Sequence, residues 1–221
     1  GYFISSMLAG VYVGFGILLI FTIGGLLTGE PYARIIMGVS FGIALSLVVI
    51  AGSELFTGNN FVISAGIFSK QVSWSDAIKL WTVCYVGNWV GSIVLAVLFV
   101  GAGYATGSVG EFIATTTVAK INIPFFSLLL RGVLCNTLVC LAVWCSFRCK
   151  SESGKLIMIF WCLFAFITSG FEHSIANMTL LTIGLLEPLS QGITLGGYLY
   201  NILVVTLGNM IGGILFVSLP Y

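Results

Sequence analysis

The sequence predicts an all-α membrane protein with six transmembrane helices in two inverted repeats of three, the second and fifth helices being broken. Three observations carry that expectation. First, 7% of the 221 residues are charged and 59% are hydrophobic, whereas a soluble domain carries roughly 25% charged residues. Second, apolar segments fall at about 5–27, 34–67, 77–102, 124–147, 156–184 and 193–218, each long enough for the ~20 residues a crossing needs. Third, the halves repeat. LAGV at 8–11 matches LRGV at 130–133. Gly52, Glu54 and Asn59 match Gly170, Glu172 and Asn177, and GNWVG at 87–91 matches GNMIG at 208–212. The offsets are 122, 118 and 121 residues, which predicts one register kept across a whole half. With three spans per half, the second copy enters from the opposite face. Repeats of that kind hold a pathway near the midplane between discontinuous helices.

The separators are GEPYAR at 29–34, SKQVSWSD at 69–76, GYATGSVGE at 103–111, FRCKSESGK at 147–155 and EPLSQG at 187–192. The second and fifth segments are too long and too polar at their centres for plain helices, so each is expected to be a pair of half-helices around a loop. Non-helical backbone at that depth is tolerated only where protein or water covers it. Lys70, Lys79, Arg148, Lys150 and Lys155 fall on the side of residue 1, against Arg34 and Lys120 on the other. Positive charge gathers inside, so both termini are expected in the cytoplasm of a multi-pass protein. The apolar opening residues, without a basic leader, are expected to mark a trimmed start rather than a signal peptide. Residues 1–221 read as one transmembrane channel domain with repeats at about 1–103 and 120–221.

A formal charge of +1 gives no nucleic-acid footprint, leaving membrane lipid as the surrounding partner. The six cysteines sit in or at the ends of apolar segments with no zinc-ligand spacing, and there is one histidine. No metal or other cofactor is expected. An intramembrane enzyme would need a catalytic dyad or metal set that these residues do not offer, so the chain is expected not to be an enzyme. A channel for small neutral solutes is the alternative; its aquaporin form would carry paired NPA turns, which this sequence lacks.

Glu54 and Glu172 stand where a carboxylate is costly and rarely faces lipid. Each can accept hydrogen bonds from its own broken helix, or take part in proton relay or ligand contact. His173 has no counterpart in the first half, where Leu55 holds its place. Its imidazole can donate to an anion, pass a proton, switch charge near neutral pH, or simply cap backbone. Asn88 and Asn209 lie in GNxxG contexts and are expected to support the loops. Asn136 and Asn201 lack an asparagine partner in the repeat, which points them toward the solute. Arg131, inside the fourth span, can snorkel or pair with a carboxylate.

GSELFTGNN at 52–60, AK at 119–120, RGVLCNTLVCLAVW at 131–144, SGFEHSIANM at 169–178 and TLGNMIGG at 206–213 resemble the signatures of the formate/nitrite transporter family, in the expected order. The resemblance implies an aquaporin-like six-helix protomer in a homopentamer, with one pore per protomer for small monovalent anions. By motif position, Leu45, Leu55, Phe56 and Thr57 resemble the cytoplasmic-side constriction and its gating loop, and Phe41 and Phe166 the outer aromatic constriction. Thr57, His173 and Asn136, with Asn201 nearby, match the central polar vestibule. Lys120 matches a lysine that makes the outer approach positive, and Glu172 its electrostatic partner. GSELFTGNN is most similar to the hydrosulfide-channel branch, so hydrosulfide is the expected main solute, with formate and nitrite also expected to pass. The mechanism expected is passive or proton-linked: two apolar gates, a positive field to offset lost hydration, and a titratable step at His173.

Overall fold

In the computed structural model, which describes residues 1–187, 189 and 192–221, the chain is all helical. The separator EPLSQG includes Pro188, Ser190 and Gln191, which lie outside the described residues. Helix α1 (Tyr2–Leu26) is followed by α2 (Ala33–Ser40) and α3 (Ile43–Ala51), then α4 (Phe56–Phe68) and α5 (Trp74–Gly101). Next come α6 (Gly107–Ile121), α7 (Phe125–Arg148), α8 (Glu152–Ser169), α9 (Ser174–Leu186) and α10 (Leu195–Gly213), which ends in a π-helical turn over Ile214–Ser218. Six stretches are long and apolar enough to cross a membrane: Tyr2–Leu26, Ala33–Ala51, Trp74–Gly101, Phe125–Arg148, Glu152–Ser169 and Leu195–Ser218. Short polar caps start several of them. Ser73 accepts from the Asp76 amide, Ser151 from Gly154 and Thr194 from Gly197, each at 3.1 Å, relieving N–H groups that have no partner within the helix.

The second and fifth spans are broken. Helix α3 runs into Gly52 at φ 72° and α8 into Gly170 at φ 76°, left-handed backbone that glycine adopts without a Cβ clash. The chain then resumes as α4 and α9. A further turn at Phe41–Gly42 separates α2 from α3, although the Phe41 amide still bonds back to Met37 and Gly38 at 3.1 and 3.3 Å. Helix α6 was not anticipated, because its fifteen residues are too few to span and carry Glu111, Lys120 and three threonines. Packing makes it: Gly24 and Gly25 of α1 leave the room that Phe112 and Val109 fill, and Gly184 of α9 does the same for Thr117.

Asn88 and Asn209 bracket the two breaks in the same way. The Asn88 amide nitrogen donates to the Ser6 and Glu54 carbonyls at 2.7 and 2.9 Å, and its oxygen accepts from the Phe56 amide at 2.9 Å. Asn209 donates to Gly132 and Glu172 at 2.8 and 3.0 Å and accepts from Ser174 at 2.9 Å. The glycines beside them bring the helices into backbone contact. A Cβ on Gly91 would lie 2.0 Å from the Met7 carbonyl oxygen, and one on Gly212 would lie 2.3 Å from that of Val133.

Ser6 and Met7 meet Asn88 and Gly91 as Gly132 and Val133 meet Asn209 and Gly212, pairs that stand 126 residues apart, whereas LAGV and LRGV stand 122 apart.

Gly91→Val is expected to lower the thermal midpoint in detergent by several degrees, because the clash is with backbone and overpacking costs about 1–3 kcal/mol or more. Gly101→Ala, where an added Cβ meets nothing within 4 Å, is expected to leave it unchanged or raise it. Asn209→Leu leaves the Glu172 carbonyl and the Ser174 amide at the break without this partner, each costing about 1–3 kcal/mol if left unpaired, and is expected to be the most damaging of the three.

Candidate functional site

The breaks bring two helix N termini together. Thr57 lies on the first turn of α4 and His173 caps α9, and the Thr57 hydroxyl oxygen is 2.9 Å from His173 Nε2. His173 Nδ1 accepts the Ala176 amide hydrogen at 3.1 Å. An acceptor at Nδ1 places the ring hydrogen on Nε2, so the imidazole donates to Thr57 and the threonine hydroxyl hydrogen is left to donate onward. The Thr57 carbonyl is occupied by Asn136 Nδ2 at 3.1 Å and Cys140 Sγ at 3.3 Å. Two positive helix ends with few competing acceptors make this point favourable to negative charge.

Apolar rings close over it. Phe166 stacks on the His173 ring with centroids 6.0 Å apart, and Phe41 meets Phe166 edge-on at 5.5 Å. On the far side Phe41, Leu45, Leu55, Phe166 and His173, with Val139, line a cavity of about 10 Å³. That holds at most one water. The aromatic pair and the leucine pair thus line one small space. Phe56 takes no part in lining it. Its ring lies edge-on to Tyr85 at 4.9 Å while its amide is held by Asn88.

On the near side the site opens into a vestibule of about 800 Å³, whose wall includes Arg34, Lys120, Arg131, Phe166, Glu172 and His173. Lys120 Nζ bonds both carboxylate oxygens of Glu172 at 2.8 Å. Asn177 donates to Glu172 Oε2 at 2.7 Å and to Asn201 Oδ1 at 2.8 Å, and Asn201 donates to the Lys120 carbonyl at 3.0 Å. Asn201 therefore belongs to this ion-pair network and not beside Thr57, because both ends of its amide are engaged there. The Asn136 amide nitrogen bonds the Thr57 and Asn209 carbonyls while its oxygen is buried without a partner among the described residues, and its side chain lines neither space. Glu54 lacks the cation that Glu172 has; Asn59 Nδ2 binds its Oε2 at 2.8 Å, and the structure records no ion pair to it among the described residues. Asn177 was visible to the repeat but not singled out for the site. Arg34 was read only as a loop charge.

The family profile described as "Formate/nitrite transporter" matches residues 1–221. The chain is 44% identical over 223 residues to the nitrite transporter NirC of Escherichia coli (strain K12), covering 100% of this chain and 82% of that protein. Among solved structures, an FNT family ion channel superposes with TM-score 0.95 at 42% identity, covering 100% of this chain and 88% of that one. A pentameric formate channel with formate bound gives 0.87 at 27% identity, covering 100% and 94%. These relatives overturn the expected placement in the hydrosulfide-channel branch: those whose names state a solute state nitrite or formate. One nonapeptide, GSELFTGNN, was too short to decide a branch against similarity over the whole chain. With the family profile covering every residue, the chain belongs to the formate/nitrite transporter family.

Proposed function

We propose that the chain is a channel for small monovalent anions of the nitrite and formate kind. The observation that carries the reading is the meeting of two helix N termini at Thr57 and His173 between apolar seals. In this reading the two halves are inverted repeats in an aquaporin-like protomer, one transmembrane domain over 1–221. Five protomers assemble, as in the similar pentameric formate channel, and in this reading each has its own pore. Five Lys/Arg against two at the helix ends put both termini in the cytoplasm of a bacterial inner membrane and the vestibule outside.

An anion leaving the vestibule loses hydration that Phe41, Phe166, Leu45 and Leu55 cannot replace. Side-chain rotation of these rings opens the small cavity, and the Thr57 hydroxyl then donates to the anion while its oxygen is held by His173 Nε2–H. The helix ends of α4 and α9 add positive field at the same point. Direct proton transfer from His173 is disfavoured by its bonding. Losing the Nε2 proton would leave an imidazolate, and a second proton at Nδ1 would face the Ala176 N–H. His173 therefore works as a neutral donor acting through Thr57. A proton that accompanies the solute comes from solvent in the vestibule. Asn136 and Asn209 hold the Thr57 and Ser174 backbone in place, and Glu54, Asn59 and Asn88 do so at the other break.

Proteoliposomes containing the protein are expected to pass nitrite and formate faster than chloride. Permeation of glycerol with no anion flux would instead support the neutral-solute alternative. Thr57→Val keeps shape and removes the donor, and is expected to slow anion flux about tenfold or more, the worth of one hydrogen bond to a charged group. His173→Asn is expected to slow flux while leaving its pH profile between pH 5 and 8 intact; loss of that profile for nitrite and formate, with chloride unaffected, would instead make the imidazole the proton donor.

Lys120→Gln strands a Glu172 carboxylate that is 4% exposed. The stability cost of breaking a buried pair, about 3–5 kcal/mol, is reduced here because Lys120 is 18% exposed. The Lys120→Gln, Glu172→Gln double variant is expected to recover much of the lost thermal midpoint, which a double-mutant cycle measures.

A further inference from the structure

Lys120 is not the free positive charge of the vestibule. Both oxygens of Glu172 are bonded to it, so the pair presents almost no net charge to a solute outside. Two other cations share the wall, Arg34 from the first turn of α2 and Arg131 from α7. Neither has a carboxylate within 4.0 Å among the described residues. The remaining charged wall residue is Glu30 at the rim, which leaves the lining with a net positive charge.

Both arginines are tied to the break at 170–172. The Arg34 guanidinium lies over the bare face of Gly170, where an added Cβ would stand 3.3 Å from its Nη1. The Arg131 carbonyl accepts the Glu172 amide hydrogen at 3.3 Å. A Cβ at 170 would press on the first, and the backbone bond ties the helix carrying the second to the loop before His173. A guanidinium offers a planar pair of N–H donors, matching the two oxygens of a planar oxyanion and not the sphere of a halide.

We infer that Arg34 and Arg131, on the wall of the vestibule, form an anion-collecting site selective for small two-oxygen anions, which delivers them to the Thr57–His173 seal. This rests on the channel reading for its purpose, but its charge and binding are measurable without any transport. Ser169 lies on the same vestibule wall and is exposed. In a Ser169→Cys chain, modification at residue 169 by an anionic and a cationic methanethiosulfonate, followed by mass spectrometry, reports the local potential.

With each rate divided by that of the same reagent on a free thiol in solution, the anionic reagent is expected to react at low salt at least about threefold faster than the cationic one, this normalised ratio falling toward one as salt screens the site. Adding Arg34→Gln or Arg131→Gln is expected to lower the ratio, and the pair of changes to abolish the preference. Arg34→Lys with Arg131→Lys keeps the charge and serves where glutamine disturbs folding. It is expected to preserve the ratio but lose the ability of nitrite to slow the anionic reagent more than equimolar chloride does. A ratio at or below one with both arginines present overturns the proposal, as does a ratio unchanged when both charges are removed. Equal protection by nitrite and chloride in the arginine form overturns the selectivity. Absence of nitrite and formate flux in liposomes with these ratios intact would overturn only the channel reading.

Discussion

A helix interrupted inside a bilayer must bond its freed backbone groups to protein, since lipid offers nothing to replace them. Asn88 and Asn209 meet that demand. Each amide ties the last residues of a break loop to a neighbouring span and holds the first amide of the next half-helix. The glycines four residues apart in each GNxxG let the helices carrying them approach backbone to backbone, and only at that distance do the asparagines reach. The site follows from this framework, because the same bonds aim the start of α4 at the start of α9.

The electrostatics are divided between two depths. Near the open vestibule, charge is formal and partly cancelled, with Lys120 locked to Glu172 and held in turn by Asn177 and Asn201. At the seal no formal charge is needed. Helix ends, a threonine hydroxyl and a neutral imidazole supply donors in a space too small for more than one water. This arrangement suits passage, since a full positive charge beside a dehydrated anion would hold it. The first half mirrors the bonding without the charge: Glu54 is met by Asn59 where Glu172 is met by a lysine.

Membership of the family and the identity of the solute rest on different amounts of sequence. The profile match covers all 221 residues, and the likeness to a formate channel extends over the whole chain at TM-score 0.87. In the proposed channel the solute meets a handful of side chains at the seal and vestibule, and the nonapeptide around one of the breaks contains only Leu55 and Thr57 of them. That is why GSELFTGNN pointed to a branch that the nitrite and formate relatives do not support.

The sequence by itself determined the six spans, the two breaks and the polar residues next to them. Apolar length and buried polarity are local properties that lipid enforces residue by residue. It also paired Glu54 with Glu172 and Asn88 with Asn209, because these recur at fixed spacing. It did not determine helix α6, whose fifteen residues become helical by packing under the glycines of α1 and α9. Tertiary structure alone decided that Asn201 serves Lys120 rather than Thr57, that Phe56 turns to Tyr85, and that His173 is held as an Nε2–H donor. The first two depend on packing between helices far apart in the chain, and the third on the local Ala176 amide at Nδ1 together with the distant Thr57 hydroxyl at Nε2.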